Sequence, residues 1–272
     1  MGDQAKRVLF VNSEIFPYLP ESHISNIGRF LPQGIQEKGL EIRSFMPRYG
    51  CINERKNQLH EVIRLSGMNI IINDIDRPLI IKVASISAAR LQVYFIDNDD
   101  YFKRKETFCD AAGGFFADNA ERAIFFARSV METVKKLRWA PDIIHCHGWI
   151  SHILPLYLKK VYKYDPIFSN SKIVLSLYDD APDVKFTEDF ARLIQFNDIT
   201  EKDVEVLKDP TGINLAKLAA QYSDGIILGA EKIDPEIISY CESKSLPILP
   251  FNAASFEDGT YIEDYNTFYE KF

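Results

Sequence analysis

The sequence has little that marks a special environment. Cysteine occurs at only four positions, 51, 109, 146 and 241. These form no CxxC pair, so neither a disulfide scaffold nor a common structural zinc site is expected, and no metal; a reducing cytoplasm fits best. No apolar run approaches the roughly 18 residues of a membrane span. The polar start, Met1 to Lys6, leads directly into Val8-Leu9-Phe10-Val11, too short for a signal-peptide core. Basic charge is in deficit: 32 Lys+Arg face 39 Asp+Glu, a net of −7. A phosphate-backbone binder needs the opposite balance, so no nucleic acid and no membrane is expected as a partner. GxGxxG after the first strand, GxxxxGK[ST], GxSxG and HExxH are all missing. Dinucleotide, P-loop, nucleophile-elbow and zincin chemistry therefore find no support.

What is present is a globular composition with alternating strand and helix signals. The continuous apolar run Arg7–Asn12 predicts a buried strand. Ile24, Ile27, Leu31 and Ile35 recur at helical spacing, Gly39 is placed to cap that helix, and Glu41–Pro47 predicts the next strand. Strand, helix, strand in this order is a βαβ unit with a parallel sheet. Segments 69–73, 79–87 and 91–97 are β-rich with short polar links, and predict antiparallel hairpins in or beside that sheet. A helix is expected over 119–137, a buried strand over 142–146, and further helices and strands alternate to 249. The expected fold class is α/β, a Rossmann-like and mostly parallel sheet with flanking helices. With no repeat and no low-complexity linker, residues 1–254 read as one domain.

Candidate site residues cluster at predicted C-terminal strand ends, where open α/β sheets bind ligands. In His145-Cys146-His147 the two histidines share one face and the cysteine points away. They either meet a ligand or are core histidines bonded to the chain. Gly148 permits a turn, and Trp149 suits stacking on a sugar or base, or packing in the core. Glu14, just past the first strand, either accepts sugar hydroxyls or is solvated. Asp118 or Asn119 is placed to cap the long helix, with Arg122 one turn further in. Asp74-Ile75-Asp76 and Asp97-Asn98-Asp99-Asp100 offer hard-cation ligands, but read better as turns between β segments.

Several longer stretches carry a resemblance. Arg7-Val-Leu-Phe-Val-Asn-Ser-Glu-Ile-Phe-Pro-Tyr-Leu, Ile27-Gly-Arg-Phe-Leu-Pro and Arg43-Ser-Phe-Met-Pro-Arg-Tyr-Gly resemble the start of bacterial glycogen (starch) synthases. Tyr94-Phe-Ile-Asp, Asp118-Asn-Ala-Glu-Arg with Phe125-Phe126, and Trp139-Ala-Pro-Asp-Ile-Ile-His-Cys-His-Gly-Trp continue it. The likeness runs from residue 7 to about 180 and weakens toward 240. It implies the N-terminal half of a two-domain GT-B glycosyltransferase. That family transfers glucose from ADP-glucose to an α-1,4-glucan, in the cleft between its domains and without a metal.

The departures carry as much information. Where the family reads Lys-x-Gly-Gly-Leu at its nucleotide-sugar phosphates, this chain has Pro20-Glu21-Ser22-His23-Ile24. Proline lacks the backbone N–H, and Glu21 repels a diphosphate. The family's His-Asp-Trp-His becomes His147-Gly148-Trp149-Ile150, and its Thr-Ile-His-Asn becomes Ser176-Leu177-Tyr178-Asp179. The resemblance also leads one to expect a second domain beyond the present sequence. The resulting expectation is a synthase-like domain impaired in ADP-glucose transfer, with no cofactor and with ADP-glucose as donor only if activity persists. Its expected partner is an α-glucan or a protein of glycogen metabolism. Half of a composite synthase, completed by another chain, is the competing reading. No residue stands out as catalytic. His147, Trp149, Glu14, Arg122, His145, Asn119 and Tyr178 are the expected substrate-binding residues.

The last stretch, 255–272, holds five acids, one lysine and six aromatics. Tyr261, Tyr265, Phe268 and Phe272 fall on one face of a helix. A helical tail packed on the domain, or a homodimer contact, follows from that stripe.

Overall fold

The computed structural model describes residues 5–272, so residues 1–4 of the polar start lie outside the described residues. In chain order the elements are β1 (Arg7–Asn12), α1 (His23–Glu37), β2 (Glu41–Pro47), β3 (His60–Glu61), β4 (Met68–Ile72), β5 (Ile75–Ile86), β6 (Leu91–Asp97) and α2 (Asp99–Phe102). There follow α3 (Asn119–Leu137), β7 (Ile143–His147), α4 (Leu154–Lys160), β8 (Lys172–Leu177), α5 (Phe190–Ile194), α6 (Gly212–Gln221), β9 (Gly225–Leu228), α7 (Pro235–Ser243), β10 (Ile248–Leu249), α8 (Ala253–Asp258) and α9 (Tyr261–Tyr269).

One sheet organises them in the order β10-β9-β8-β7-β1-β2-β6-β5-β3, with β4 paired to β5. From β10 to β6 every pairing is parallel; β5 then runs antiparallel to β6. The 91–97 segment is therefore a parallel core strand on one side and a hairpin partner on the other. Its side chains explain this: Val93, Phe95 and Ile96 are buried, a run suited to a strand covered on both faces. The Asn73-Asp74 link between β4 and β5 is a two-residue turn with φ of 51° and 61°. That is the left-handed backbone Asn and Asp tolerate, so Asp74 acts as a turn residue. Asp97 is equally committed, pairing with Arg48 at 2.9 Å and Lys82 at 2.9 Å.

Alternation along the strands sorts the core into two faces. Leu9, Val11, Ile144 and Cys146 point into the larger apolar cluster beneath α3, α4 and α6. Val8, Phe10, Ile143, Val174 and Ile227 point the other way, under α1 and α9. Helix α1 lays Ile27, Leu31 and Ile35 on that second face, as their spacing requires. Among the described residues no helix is long and apolar enough to cross a membrane.

The C-terminal segment, expected as a helical tail, consists of two helices, α8 and α9. Gly259 takes φ of 81°, a left-handed cap that ends α8 and lets α9 start at a new angle. Helix α9 places Tyr261, Tyr265, Phe268 and Tyr269 in the second cluster. Phe272 lies past the helix end, and its ring fills the space where a side chain on Gly225 would stand.

Candidate functional site

Parallel pairing of β1 with β7 brings Asn12 beside His147, so the chain segments 13–14 and 148–149 leave the sheet together. Ser13 N–H donates to His147 O at 2.9 Å, tying the two exits. Gly148 has φ of 81°, and any Cβ there would overlap Ser13 Oγ. Only glycine allows this turn, which sends Trp149 away from the strand and into the loops.

His145 and His147 do share one face, with ring centroids 3.8 Å apart. Both are fully buried. His145 bonds through Nδ1 to Tyr269 Oη at 2.6 Å and through Nε2 to Ser176 Oγ at 2.7 Å. Expected as a substrate-binding residue, it is placed instead in the core beneath α9, with both ring nitrogens occupied. His147 sits one step nearer the strand end. Its Nδ1 meets Tyr178 Oη at 2.7 Å, and its Nε2 has no partner among the described residues. Burial lowers its pKa to about 3, so the ring is neutral near pH 7. Tyr178, itself 4% exposed, is turned toward the histidine rather than toward solvent.

Arg122 and Asn119 are placed elsewhere than the ligand edge. Arg122 is wholly buried, its Nε donating to Tyr101 O at 2.8 Å and its guanidinium to Asn119 Oδ1 at 2.5 Å. Rings of Phe102, Phe108 and Phe116 lie 5.2–5.9 Å from it. Desolvation lowers its pKa to about 10, which leaves it charged. Asn119 Nδ2 donates to Phe108 O at 2.8 Å, so this pair pins the 108–116 hairpin to α3. The cap expected from Asp118 is not made: its carboxylate is drawn to Arg104 at 2.7 Å, a stronger partner than a backbone N–H.

Above Gly148 the loops form a groove of about 380 Å³, lined by Phe108, Phe115, Trp149, Asp180, Pro182 and Val184 among others. That lies in the ordinary range of small-molecule sites, about 300–1,000 Å³. Trp149 is only 4% exposed, boxed by Phe108 at 4.7 Å and Phe186 at 5.5 Å between centroids. It is both core tryptophan and groove floor. Glu14 is half-buried and accepts from Ser22 Oγ at 2.8 Å. Sequence reasoning missed Phe108, Phe115 and Asp180, because loops distant in sequence bring them here. Two consecutive acids just past a strand end, Asp179-Asp180, were the one available signal.

The start of α1 is closed off. Ser22 caps the helix by accepting from Ser25 N–H at 3.0 Å, and Ser25 Oγ accepts from Ser22 N–H at 2.8 Å. Glu14 bonds to the cap itself, and Glu21 accepts from Asn26 Nδ2 at 3.1 Å. Two carboxylates thus stand where helix N–H groups otherwise attract an anion.

Placing an acid at Gly148 should destabilise the fold. Gly148→Asp forces a side chain into an extended, positive-φ backbone that only glycine adopts readily, roughly 1–3 kcal/mol, and an overlap with Ser13 that adds about 1–3 kcal/mol. Urea unfolding should show a loss of about 2–6 kcal/mol, partly relieved by Ser13→Gly. A variant as stable as the parent contradicts the turn geometry.

A family model described as the starch synthase catalytic domain matches residues 7–246. A glycogen synthase of Chlorobium limicola (strain DSM 245 / NBRC 103803 / 6330) is 41% identical over 174 residues, 64% of this chain and 36% of that protein. One of Chlorobium luteolum (strain DSM 273 / BCRC 81028 / 2530) is 39% identical over 180 residues, 66% of this chain and 37% of that protein. The chain thus spans about a third of the length of these curated relatives, 36–37%. Among solved structures, the catalytic domain of starch synthase IV from Arabidopsis thaliana, bound to ADP and acarbose, matches with a TM-score of 0.71. The match covers 93% of this chain and 52% of that one at 14% identity, and shows a shared fold.

Proposed function

The chain belongs to the starch synthase catalytic domain family, and from that premise we propose that it holds an α-1,4-glucan without transferring glucose from ADP-glucose. It is a glycogen/starch synthase-like domain with the α/β fold of that glycosyltransferase family. The observation that carries the loss of transfer is the closed start of α1. Its N-terminus is capped by Ser22 and flanked by Glu14 and Glu21. A diphosphate brought there meets two like charges instead of free N–H donors and a lysine. Pro20 contributes no N–H either.

The aromatic groove over Trp149 supports the glucan half of the reading. Sugar rings present apolar C–H faces to aromatic side chains and hydroxyls to polar groups. His147 stays neutral and fully buried, so it is unsuited to proton transfer near pH 7.

Purified protein incubated with ADP-glucose and glycogen should release ADP at the background rate, while glycogen immobilised in a native gel retards it. Sustained ADP release with glucan extension overturns the loss of transfer. Unretarded migration overturns the glucan half.

A further inference from the structure

Asp180 is a polar group of the groove that neither pattern nor resemblance selects. It lies in the loop after β8, and its Oδ2 accepts Trp149 N–H at 2.8 Å. The same oxygen is 3.2 Å from the position a Cβ on Gly148 would take. A half-buried carboxylate is therefore fixed above the bare glycine, in a groove whose apolar walls include Phe108, Phe115, Pro182 and Val184. Because Oδ2 is held by the backbone, Oδ1 is the oxygen available to a ligand.

The surroundings select the ligand's chemistry. Glu14 and Asp179 act on Asp180 with like charge, and Asp183 lines the same groove. An anionic ligand is repelled. A purely apolar one leaves a desolvated carboxylate unpaired. A neutral molecule with C–H faces and many hydroxyl donors satisfies both demands.

We propose that Asp180 is a glucan-binding residue of this site, its carboxylate accepting a hydroxyl hydrogen bond from the sugar ring seated over Trp149. The inference rests on the glucan-binding reading above and names its anchor. An acceptor already oriented by a backbone N–H loses little further freedom on binding. Burial also raises the carboxyl of Asp180 to about 6. The charged and titratable groups around it are Glu14 beyond the first strand, Asp179 and Asp183 on its own loop, and the Cys109 thiol of the hairpin. The ionised form is the better acceptor. Binding is therefore full above that pH and fades as pH falls through it.

Maltoheptaose titrated calorimetrically into the full chain tests this. Asp180→Asn keeps the size but replaces the charged acceptor, and affinity should drop about tenfold or more at pH 7.5. The parent should lose about fourfold between pH 7.5 and 5.5, and the variant should show no such loss. An unchanged melting curve separates this from a folding defect. Val184→Arg, on an exposed rim position, fills the groove and should abolish binding. If Val184→Arg loses binding while Asp180→Asn matches the parent at both pH values, the Asp180 assignment is overturned and the groove stands. If the parent does not bind, or Val184→Arg binds as the parent does, the groove reading fails and Asp180 with it.

Discussion

A chain lacking residues 255–272 should not fold cooperatively. The reason is the number of buried groups that leave with it. Tyr265, Phe268 and Tyr269 are 1–2% exposed, and Tyr261 is 8% exposed. They cover Val8, Phe10, Val174 and Ile227 on a sheet face whose other cover is α1. Deleting one buried aromatic side chain costs about 3–5 kcal/mol. Four together match or exceed the roughly 5–15 kcal/mol by which a domain is stable. His145 loses its Tyr269 partner as well, and Lys6 Nζ loses the Tyr269 carbonyl at 2.7 Å. The expected product is collapsed, binds hydrophobic dyes and lacks a sharp melt. A milder variant isolates the hydrogen bond: Tyr269→Phe keeps the ring and should lower stability by about 1–2 kcal/mol. A truncated chain melting within a few degrees of the parent contradicts this account of the tail.

Stability should also fall steeply in mild acid. His145, His147 and His152 are buried and neutral. Burial holds His147 and His152 at about 3, and His145 well below its ordinary value of 6.5. The unfolded chain protonates these rings near pH 6.5, and the folded chain does not until far lower. Below 6.5 the unfolded state therefore binds more protons, and stability declines as pH falls. Asp180 opposes this with one proton, since its folded carboxyl protonates near 6 and its unfolded one near 3.8. The net is about two protons, or about 3 kcal/mol per pH unit between pH 6 and 4. Urea titrations at pH 7.5, 6.0 and 5.0 measure the slope directly. A flat profile means that the histidines titrate in the folded state and are not sealed in the core.

Much of this was legible residue by residue. The run Arg7–Asn12 can only be a buried strand, and Ile27, Leu31 and Ile35 can only face one way on a helix. The alternation that put His145 and His147 on one face is a property of any strand. Element order followed from such local rules, and so did the parallel sheet, because strand–helix–strand connections leave few alternatives. The motifs around residues 7–20 and 139–149 also sufficed for the family. The replacement of Lys-x-Gly-Gly by Pro20-Glu21-Ser22-His23 is plain from the residues themselves. What folding adds is that Ser22 uses its hydroxyl to cap α1 and to hold Glu14.

Exposure was the property that local rules did not decide. His145 is sealed by Tyr269, 124 residues away in the chain, and Arg122 by Tyr101 O, 21 residues away. Trp149 receives its carboxylate from Asp180, 31 residues on. Whether a histidine is a ligand or a core residue, and whether an arginine reaches solvent, depends on what covers it. So do the pKa shifts of His145, His147, His152, Arg122 and Asp180, since desolvation is exerted by neighbours in space. The sequence by itself determined which elements form, which way their side chains alternate, and to which family they belong. The tertiary structure alone decided which of those side chains meet the groove, because burial is a relation between distant segments that no single segment encodes.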